Sequence, residues 1–114
     1  MAFSFFTGYK IAMKRFFYLG SEKLVRLFVQ KVLKGAGHDV YVAESVNELY
    51  VIKDLNSQII LIDACLVSSL PQGFFEEGRE YVVIGAEAEF QNLDLNSFHK
   101  KLQKPLGMTD LLSL

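Results

Sequence analysis

One carboxylate stands directly after a run of aliphatic residues. In the stretch QIILIDACL, residues 58–66, Asp63 follows Ile, Ile, Leu and Ile at residues 59–62. A run without alternation is typical of a strand that is covered on both faces. Ligand sites of open α/β sheets lie where such strands end. Asp63 is therefore either a candidate for chemistry at the edge of a sheet or a residue that only begins a turn.

Lys104 is the second polar group that follows a predicted strand, and Pro105 comes directly after it. The carboxyl ends of parallel strands share one edge, so Asp63 and Lys104 can meet there although they are far apart in sequence. An ammonium group beside a carboxylate favours its charged form and can stabilise phosphoryl charge added to it. The alternative is a plain salt bridge, which contributes little when it is exposed.

Strands and helices alternate along most of the chain. Apolar segments predict five strands at residues 15–19, 39–43, 59–62, 80–86 and within 100–104. Helical patterns follow the first two strands, which gives the order β-α-β-α-β and then two further strands. This order favours a mostly parallel sheet with right-handed crossovers and helices on both faces.

Helix boundaries are predicted from capping residues. Ser21 is expected to cap the first helix, which should end where Gly35 or Gly37 supplies a positive φ. Ser45 and Glu48 have the spacing of a capping box and predict the start of the second helix. The last residues, MTDLLSL, allow at most two turns of helix.

Composition limits the function classes. The 114 residues suit one domain, with 51% hydrophobic and 22% charged residues. A net charge of −1 gives no general attraction to nucleic acid or to an anionic membrane, so neither partner is expected. Cys65 is the one cysteine, which excludes an internal disulfide and favours a reducing cytoplasm. We expect Cys65 to be a small buried residue.

Motifs of catalysis and of cofactor binding are missing from the sequence. The glycine-containing stretches GYKIAMK and GAGHD have the wrong spacing for a phosphate loop. His38 and His99 lie far from Cys65 in sequence, so neither a Cys/His pair nor a zinc cluster is predicted. The protein is therefore not expected to be an enzyme or to hold a cofactor.

Residues 1–12, MAFSFFTGYKIA, are interpreted as an N-terminal extension, and residues 13–114 as the domain. The extension is either native or an artefact of start-site choice. If it is made, its aromatic residues are expected to pack on the domain or on a neighbouring molecule.

The order of these segments resembles the receiver domain of two-component response regulators over residues 14–114. The first strand, first helix and second strand match residues 14–45, and IILIDACL matches the strand that carries the phosphoacceptor aspartate. VVIGAEA matches the fourth strand, and QKPLG the strand that ends in Lys-Pro. The resemblance implies a flavodoxin-like (CheY-like), doubly wound parallel sheet of five strands. The spacing leaves room only for reduced helices after the third and fourth strands and for a truncated last helix.

The resemblance also implies roles for individual residues. Asp63 stands at the position of the phosphoacceptor and Lys104 at that of the phosphate-contacting lysine. Gly85 and Ala86 occupy the phosphate-contacting and switch positions at the end of the fourth strand, where the family has a hydroxyl residue. Gly85 has no hydroxyl, and Lys101 replaces the aromatic residue of the switch.

The family's pair of metal-binding acids is missing as well. Gly20 and Ser21 stand where the acids would follow the first strand, and Glu22 comes one residue later. Mg²⁺ requires several hard oxygen ligands. Glu22 and Asp63 are therefore only weak candidates for a metal site, and none is expected.

These departures predict a degenerate receiver, or pseudo-receiver: a stand-alone cytoplasmic signalling domain that works by protein contacts and not by phosphorylation. Its partner would be a histidine kinase, another signalling protein or a second copy, bound where the shortened last helix leaves the fourth and fifth strands poorly covered. One alternative is a phosphorelay receiver phosphorylated on Asp63, with Glu22 helping to hold Mg²⁺. Another is a flavodoxin-like domain that binds a small ligand in the strand-end crevice.

Overall fold

The computed structural model describes residues 13–114, so the predicted extension at residues 1–12 lies outside the described residues. Its five strands are β1 (Arg15–Leu19), β2 (Asp39–Ala43), β3 (Ile59–Asp63), β4 (Glu80–Gly85) and β5 (Lys100–Gln103). They form one parallel sheet in the order β2-β1-β3-β4-β5. This is the flavodoxin-like strand order, so the predicted fold class is confirmed.

The helices shorten along the chain. The long helix α1 (Lys23–Gly35) follows β1, while α2 (Val51–Asp54), α3 (Glu87–Phe90) and α4 (Met108–Leu112) have only four or five residues. A 3-10 helix at Ala64–Ser69 follows β3. The prediction of reduced helices after the third and fourth strands and of a short last helix is therefore confirmed. Within residues 13–114, no helix has the length and apolar character needed to cross a bilayer.

Both faces of the sheet are covered, which explains why the central strands are apolar without alternation. Tyr18 and Leu61 belong to a core on the face that α1 and α4 cover, and Leu33 and Leu111 of these helices are buried there. The other face carries Phe17 of β1 and Ile60 and Ile62 of β3, which pack against α2 and its neighbouring loops. Asp63 and Ser57 are the buried polar residues among those described.

The predicted N-cap of α1 is wrong. The helix begins after Glu22, whose side chain makes no capping hydrogen bond. The amide and the hydroxyl of Ser21 instead face the carboxylate of Asp63. The predicted C-terminal signal is confirmed, because Gly37 has a φ of 91° directly after the helix.

The predicted capping box of the second helix is also wrong. Ser45 accepts a hydrogen bond from the Asn47 amide at 3.1 Å and caps a 3-10 helix at Val46–Glu48. The Glu48 carboxylate does not return to Ser45, since it accepts the hydroxyl of Tyr41 at 3.0 Å. The predicted single helix is therefore a 3-10 helix followed by the short α2.

The prediction that β4 and β5 are both poorly covered holds only for β5. Every residue of β4 beyond Glu80 is buried, whereas three of the four residues of β5 are exposed. Aromatic side chains from the loops cover β4 in place of long helices. Phe74, Phe75 and Phe98 pack edge to face around Tyr81 and each other.

Candidate functional site

Asp63 ends β3 in the middle of the sheet and is completely buried. Strand β1 lies on one side of β3, and β4 pairs with it on the other. The carboxylate therefore lies at the carboxyl edge of the sheet, where sequence analysis placed it. A buried carboxylate is costly unless other groups satisfy it. The surroundings of Asp63 supply such groups for both oxygen atoms.

Tyr18 of β1 satisfies the first oxygen. Its hydroxyl donates a hydrogen bond to Oδ1 of Asp63, with 2.6 Å between the two oxygens. Such a short bond to a carboxylate is stronger than one between neutral groups. Burial, followed by the hydrogen bond and the charge of Asp63, raises the pKa of the Tyr18 phenol well above its ordinary value. Tyr18 therefore remains a donor throughout the physiological pH range.

Ser21 and Lys104 satisfy the second oxygen. The Ser21 amide donates to Oδ2 of Asp63 at 3.1 Å, and the Ser21 hydroxyl lies 3.5 Å from the same atom. The ammonium of Lys104 lies 3.6 Å from Oδ2. Asp63 and Lys104 thus meet at the edge of the sheet, as expected from the ends of their strands. The carboxylate contacts donors from three segments of the chain.

Glu22 also reaches this ammonium group. Its Oε1 lies 3.5 Å from Nζ of Lys104, although the Glu22 side chain is largely exposed. Burial lowers the pKa of Lys104, but the charges of Asp63 and Glu22 outweigh this effect and raise it above its ordinary value. Lys104 is therefore a fixed cation between two carboxylates.

Gly20 is required by the position of the Tyr18 ring. A Cβ atom on residue 20 would lie 2.6 Å from Cε2 of Tyr18 and would overlap the phenol carbon and oxygen more closely still. The Gly20 backbone is held in place, because its amide donates to Ala43 at 2.9 Å and its carbonyl accepts from Arg26 at 2.8 Å. An acidic side chain at this position would compete with Tyr18 for the same space.

Neighbouring side chains also fill the space around Gly85 and engage the amide of Ala86. A Cβ atom on Gly85 would lie 2.6 Å from Cβ of Ala64 and 3.0 Å from Oε1 of Glu89. The Ala86 amide donates to the same Oε1 at 2.8 Å. The carboxylate of Glu89 therefore accepts the hydrogen bond of the amide at the end of β4. Together with Ala64, it leaves no room for a hydroxyl residue at position 85.

Lys101 stands where the resemblance places a switch aromatic. Its ammonium lies 5.5 Å from the centroid of the Phe90 ring, within the range of a cation–π contact. The contact joins the exposed strand β5 to α3.

The residues that are present do not fit a magnesium ion. Mg²⁺ takes nearly octahedral coordination by hard oxygen atoms. The described residues contain no group of three or more side chains that could hold a metal. Both oxygens of Asp63 already accept hydrogen bonds from Tyr18 and Ser21 or face Lys104. A metal would have to displace these partners.

Cys65 is exposed, so the expectation of a small buried residue is wrong. It lies in the 3-10 helix that leaves the strand end, and its Sγ is 3.5 Å from Oγ of Ser21. Two residues past the end of β3, the chain has turned out of the sheet, and the side chain no longer reaches the core.

Sequence analysis missed Tyr18 and Glu89. In the sequence, the pattern of the first strand gives Tyr18 the role of one more buried strand residue. A signal for its role exists, because a buried tyrosine hydroxyl needs a partner, and Tyr18 is the last residue but one of the strand. Glu89 follows Ala86 at the spacing of an N3 acid, the position from which a glutamate can return to the N-cap amide.

Comparisons with known proteins identify the fold. No protein-family model matches the chain, and no curated protein matches it. Among solved structures, a RitR mutant superimposes with a TM-score of 0.73 and 18% identity over 87% of this chain, which spans 49% of the RitR chain. A receiver domain protein (CheY-like) from Methanospirillum hungatei gives 0.66 and 21%, covering 88% of this chain and 89% of that one. Vibrio cholerae CheY4 gives 0.69 and 18%, covering 90% and 95%. The predicted resemblance to receiver domains is thus confirmed for the fold.

Proposed function

We propose that this protein is a signalling domain that acts by contacts with another protein, without phosphorylation of Asp63. One observation carries the proposal: the Asp63 carboxylate is buried, and its two oxygens are engaged by Tyr18, Ser21 and Lys104. In a phosphoacceptor, one carboxylate oxygen must instead be free to attack phosphorus. The donor set of Asp63 is that of a structural carboxylate.

Phosphoryl transfer also needs neutralisation of charge, which a metal ion supplies in most such reactions. Tyr18 occupies the space beside Gly20 and thereby excludes an acidic side chain there. Lys104 is the cation that remains, and Glu22 and Asp63 already offset it. Transfer to Asp63 would require the Tyr18 hydrogen bond to break before any metal or phosphoryl group could enter.

The end of β4 supports a state that does not depend on phosphorylation. The amide of Ala86 is held by Glu89, a carboxylate of the chain itself. A fixed anion at this point makes the conformation of the loop after β4 independent of an incoming one. A partner would then recognise a permanent surface, and binding would be controlled by the partner or by the amount of protein.

The proposed setting is signal transduction in a reducing cytoplasm. Proteins that share the fold are named response regulators and chemotaxis proteins, which supports a signalling role for this chain. The exposed free thiol of Cys65 is compatible with a reducing compartment. The partner class is a histidine kinase or another signalling protein.

A second candidate function is a phosphoacceptor with an altered metal site. The position of Glu22 favours it, because its carboxylate contacts the same Lys104 as Asp63 does and could turn toward a metal. The buried Tyr18 hydroxyl opposes it for the reason given above. The two functions differ in one measurable property, which is whether Asp63 accepts a phosphoryl group or its analogue.

Amide NMR spectra with Mg²⁺ and beryllofluoride test the proposal. We expect the amide signals of Asp63, Ala86 and Lys104 to stay unchanged. In a working receiver domain in the same buffer, the corresponding signals shift when beryllofluoride binds. Shifts around Asp63 that disappear in Asp63→Asn would refute the proposal and favour the phosphoacceptor.

A further inference from the structure

We propose that the amino-terminal edge of the sheet is sensitive to acid, because protonation of His38 and His99 releases two backbone amides that hold the outer strands. His38 stands directly before β2 and His99 directly before β5, the two outer strands of the sheet. They are the two histidines of the chain. The inference does not rest on the proposed function, since Asp63 lies at the opposite edge of the sheet.

Both imidazole rings accept a hydrogen bond from a backbone amide of the neighbouring strand or of the residue before it. The amide of Lys14, directly before β1, donates to Nδ1 of His38 at 3.1 Å. The amide of Tyr81 in β4 donates to Nδ1 of His99 at 3.0 Å. A ring nitrogen that accepts a hydrogen bond carries no proton. The folded structure therefore holds both Nδ1 atoms in the unprotonated form.

Further contacts fix the two rings in these positions. The amide of His38 donates to the carbonyl of Leu33 at 3.1 Å, and its ring packs against Phe16 with 5.3 Å between the centroids. The amide of His99 donates to the carbonyl of Tyr81 at 2.8 Å, and the two rings stack with 16° between their planes. Both histidines thus take part in the attachment of an outer strand to its neighbour.

Protonation converts each acceptor into a donor. An imidazolium carries an N–H at both ring nitrogens and has no acceptor, so Nδ1 and the backbone amide must separate. Tyr81 is 2% exposed, so water has little access to its amide when His99 leaves. A buried donor that loses its partner costs free energy. Lys14 is half-buried, and the same cost applies to its amide in part.

The charges around the histidines do not favour the protonated form. None of the ion pairs among residues 13–114 includes a histidine. Basic residues outnumber acidic ones near both rings, on the strand ends and on the end of α1 that packs there. Around His38 the charged residues are Lys14, Arg15, Lys34 and Asp39, and around His99 they are Lys14, Arg79, Glu80 and Lys100.

Gln58 shows a non-titrating acceptor in an equivalent position. It stands directly before β3, and its Oε1 accepts from the amide of Arg15 in β1 at 3.4 Å. An amide oxygen remains an acceptor at every pH. Asparagine is the corresponding replacement for a histidine here, because its Oδ1 is bonded to Cγ as Nδ1 is. His38→Asn and His99→Asn therefore retain an acceptor and remove the titration.

Urea denaturation between about pH 7.5 and about pH 5 tests the proposal. A histidine of the unfolded chain gains its proton near about pH 6.5, whereas the folded structure needs both rings neutral. The contribution of the two histidines to stability is therefore full above this pH and is lost as the pH falls below it. We expect unfolding of the wild type to take up protons, approaching two per molecule, one for each histidine.

The double variant His38→Asn, His99→Asn is the matched control, since it keeps every carboxylate of the wild type. We expect it to match the wild type near about pH 7.5 and to lose less stability on acidification, because its proton uptake from histidine is absent. Parallel pH profiles of the two proteins would overturn the proposal.

Hydrogen exchange of the wild-type amides tests the release directly and does not depend on the variants. We expect the protection of the Lys14 and Tyr81 amides to fall with decreasing pH, approaching tenfold for each pH unit below about 6.5. The amide of Val83, in the buried middle of β4, is the internal control and should stay protected. Protection of Lys14 and Tyr81 that stays constant relative to Val83 would also overturn the proposal.

Discussion

Tyr18 places a buried phenol where the resemblance leads one to expect acidic side chains. Its hydroxyl contacts Asp63 directly, and its ring excludes any side chain at Gly20. Tyr18 thus has two functions: its hydroxyl satisfies the buried carboxylate of Asp63, and its ring fills the space beside Gly20. The proposed loss of phosphorylation is in this sense a property of Tyr18 as much as of the missing acids.

Removal of the Tyr18 hydroxyl should destabilise the protein. Tyr18→Phe leaves Oδ1 of Asp63 buried without its donor, and we expect a loss of about 1.5–3 kcal/mol in the free energy of unfolding. Tyr41→Phe is the matched control, because it removes a hydrogen bond to Glu48, which is only partly buried, and we expect a loss of about 1 kcal/mol or less. Urea denaturation measures both. Equal losses would contradict the importance of the buried bond.

Alkaline pH should weaken the fold through the same residue. The pKa of Tyr18 is raised by burial and by Asp63 above its ordinary value of 10.0, so the unfolded chain loses the phenol proton first as the pH rises. The stability that Tyr18 contributes is full below pH 10.0 and is lost as the pH rises toward the raised pKa. The raised pKa of Lys104 acts in the same direction above its ordinary 10.5.

Denaturation at a series of alkaline pH values checks this dependence. We expect the free energy of unfolding of the wild type to fall more steeply above pH 10 than that of Tyr18→Phe. Parallel curves for the two proteins would show that the phenol does not titrate with unfolding.

At the scale of elements, the ends of β1 and β4 are closed by close packing. Gly20 and Gly85 have no room for a Cβ atom, and the obstructing groups are the buried Tyr18 ring and Ala64. Introducing the residue types of a working receiver domain at these two positions, one at a time, should therefore destabilise the fold. The acid or the hydroxyl would meet an occupied space, so each change requires its neighbour to change as well.

Single substitutions at these strand ends should be destabilising. Gly20→Ala and Gly85→Ser are each expected to cost about 1–3 kcal/mol by overpacking. The cost of Gly20→Ala should shrink in a Tyr18→Leu background, which a double-mutant cycle measures as coupling. Gly35→Ala is the control, since no atom lies within 4 Å of its Cβ position, and it should be neutral or slightly stabilising. A Gly20→Ala cost that is independent of residue 18 would refute the packing explanation.

Strands were predicted better than helix starts, for a physical reason. Burial of both faces of β3 leaves a clear apolar run, and no local alternative competes with it. Capping residues can instead hydrogen-bond to several partners. The amide of Ser21 donates a hydrogen bond to Asp63, which ends a strand far away in sequence. Glu48 accepts a hydrogen bond from the hydroxyl of Tyr41. These tertiary contacts override the local signal, and nothing in the spacing of residues near the helices reveals them.

At the scale of the whole molecule, the order of the elements allowed the sheet to be predicted, but not the groups that surround Asp63. The meeting of Asp63 and Lys104 follows from parallel topology alone. The third partner, Tyr18, comes from a neighbouring strand in which an aromatic residue fits the core as well as the site. Sequence analysis therefore recognised the missing acids and missed the residue that takes their place.

The central claim is that Asp63 is a structural carboxylate and not a phosphoacceptor. Intact mass spectrometry after incubation with Mg²⁺ and a small phosphoryl donor tests it most directly, with a working receiver domain as positive control and Asp63→Asn as the matched variant. We expect the wild type and Asp63→Asn to remain unmodified while the positive control gains one phosphoryl group. A phosphoryl adduct on the wild type that Asp63→Asn abolishes would contradict the claim and establish the phosphoacceptor in its place.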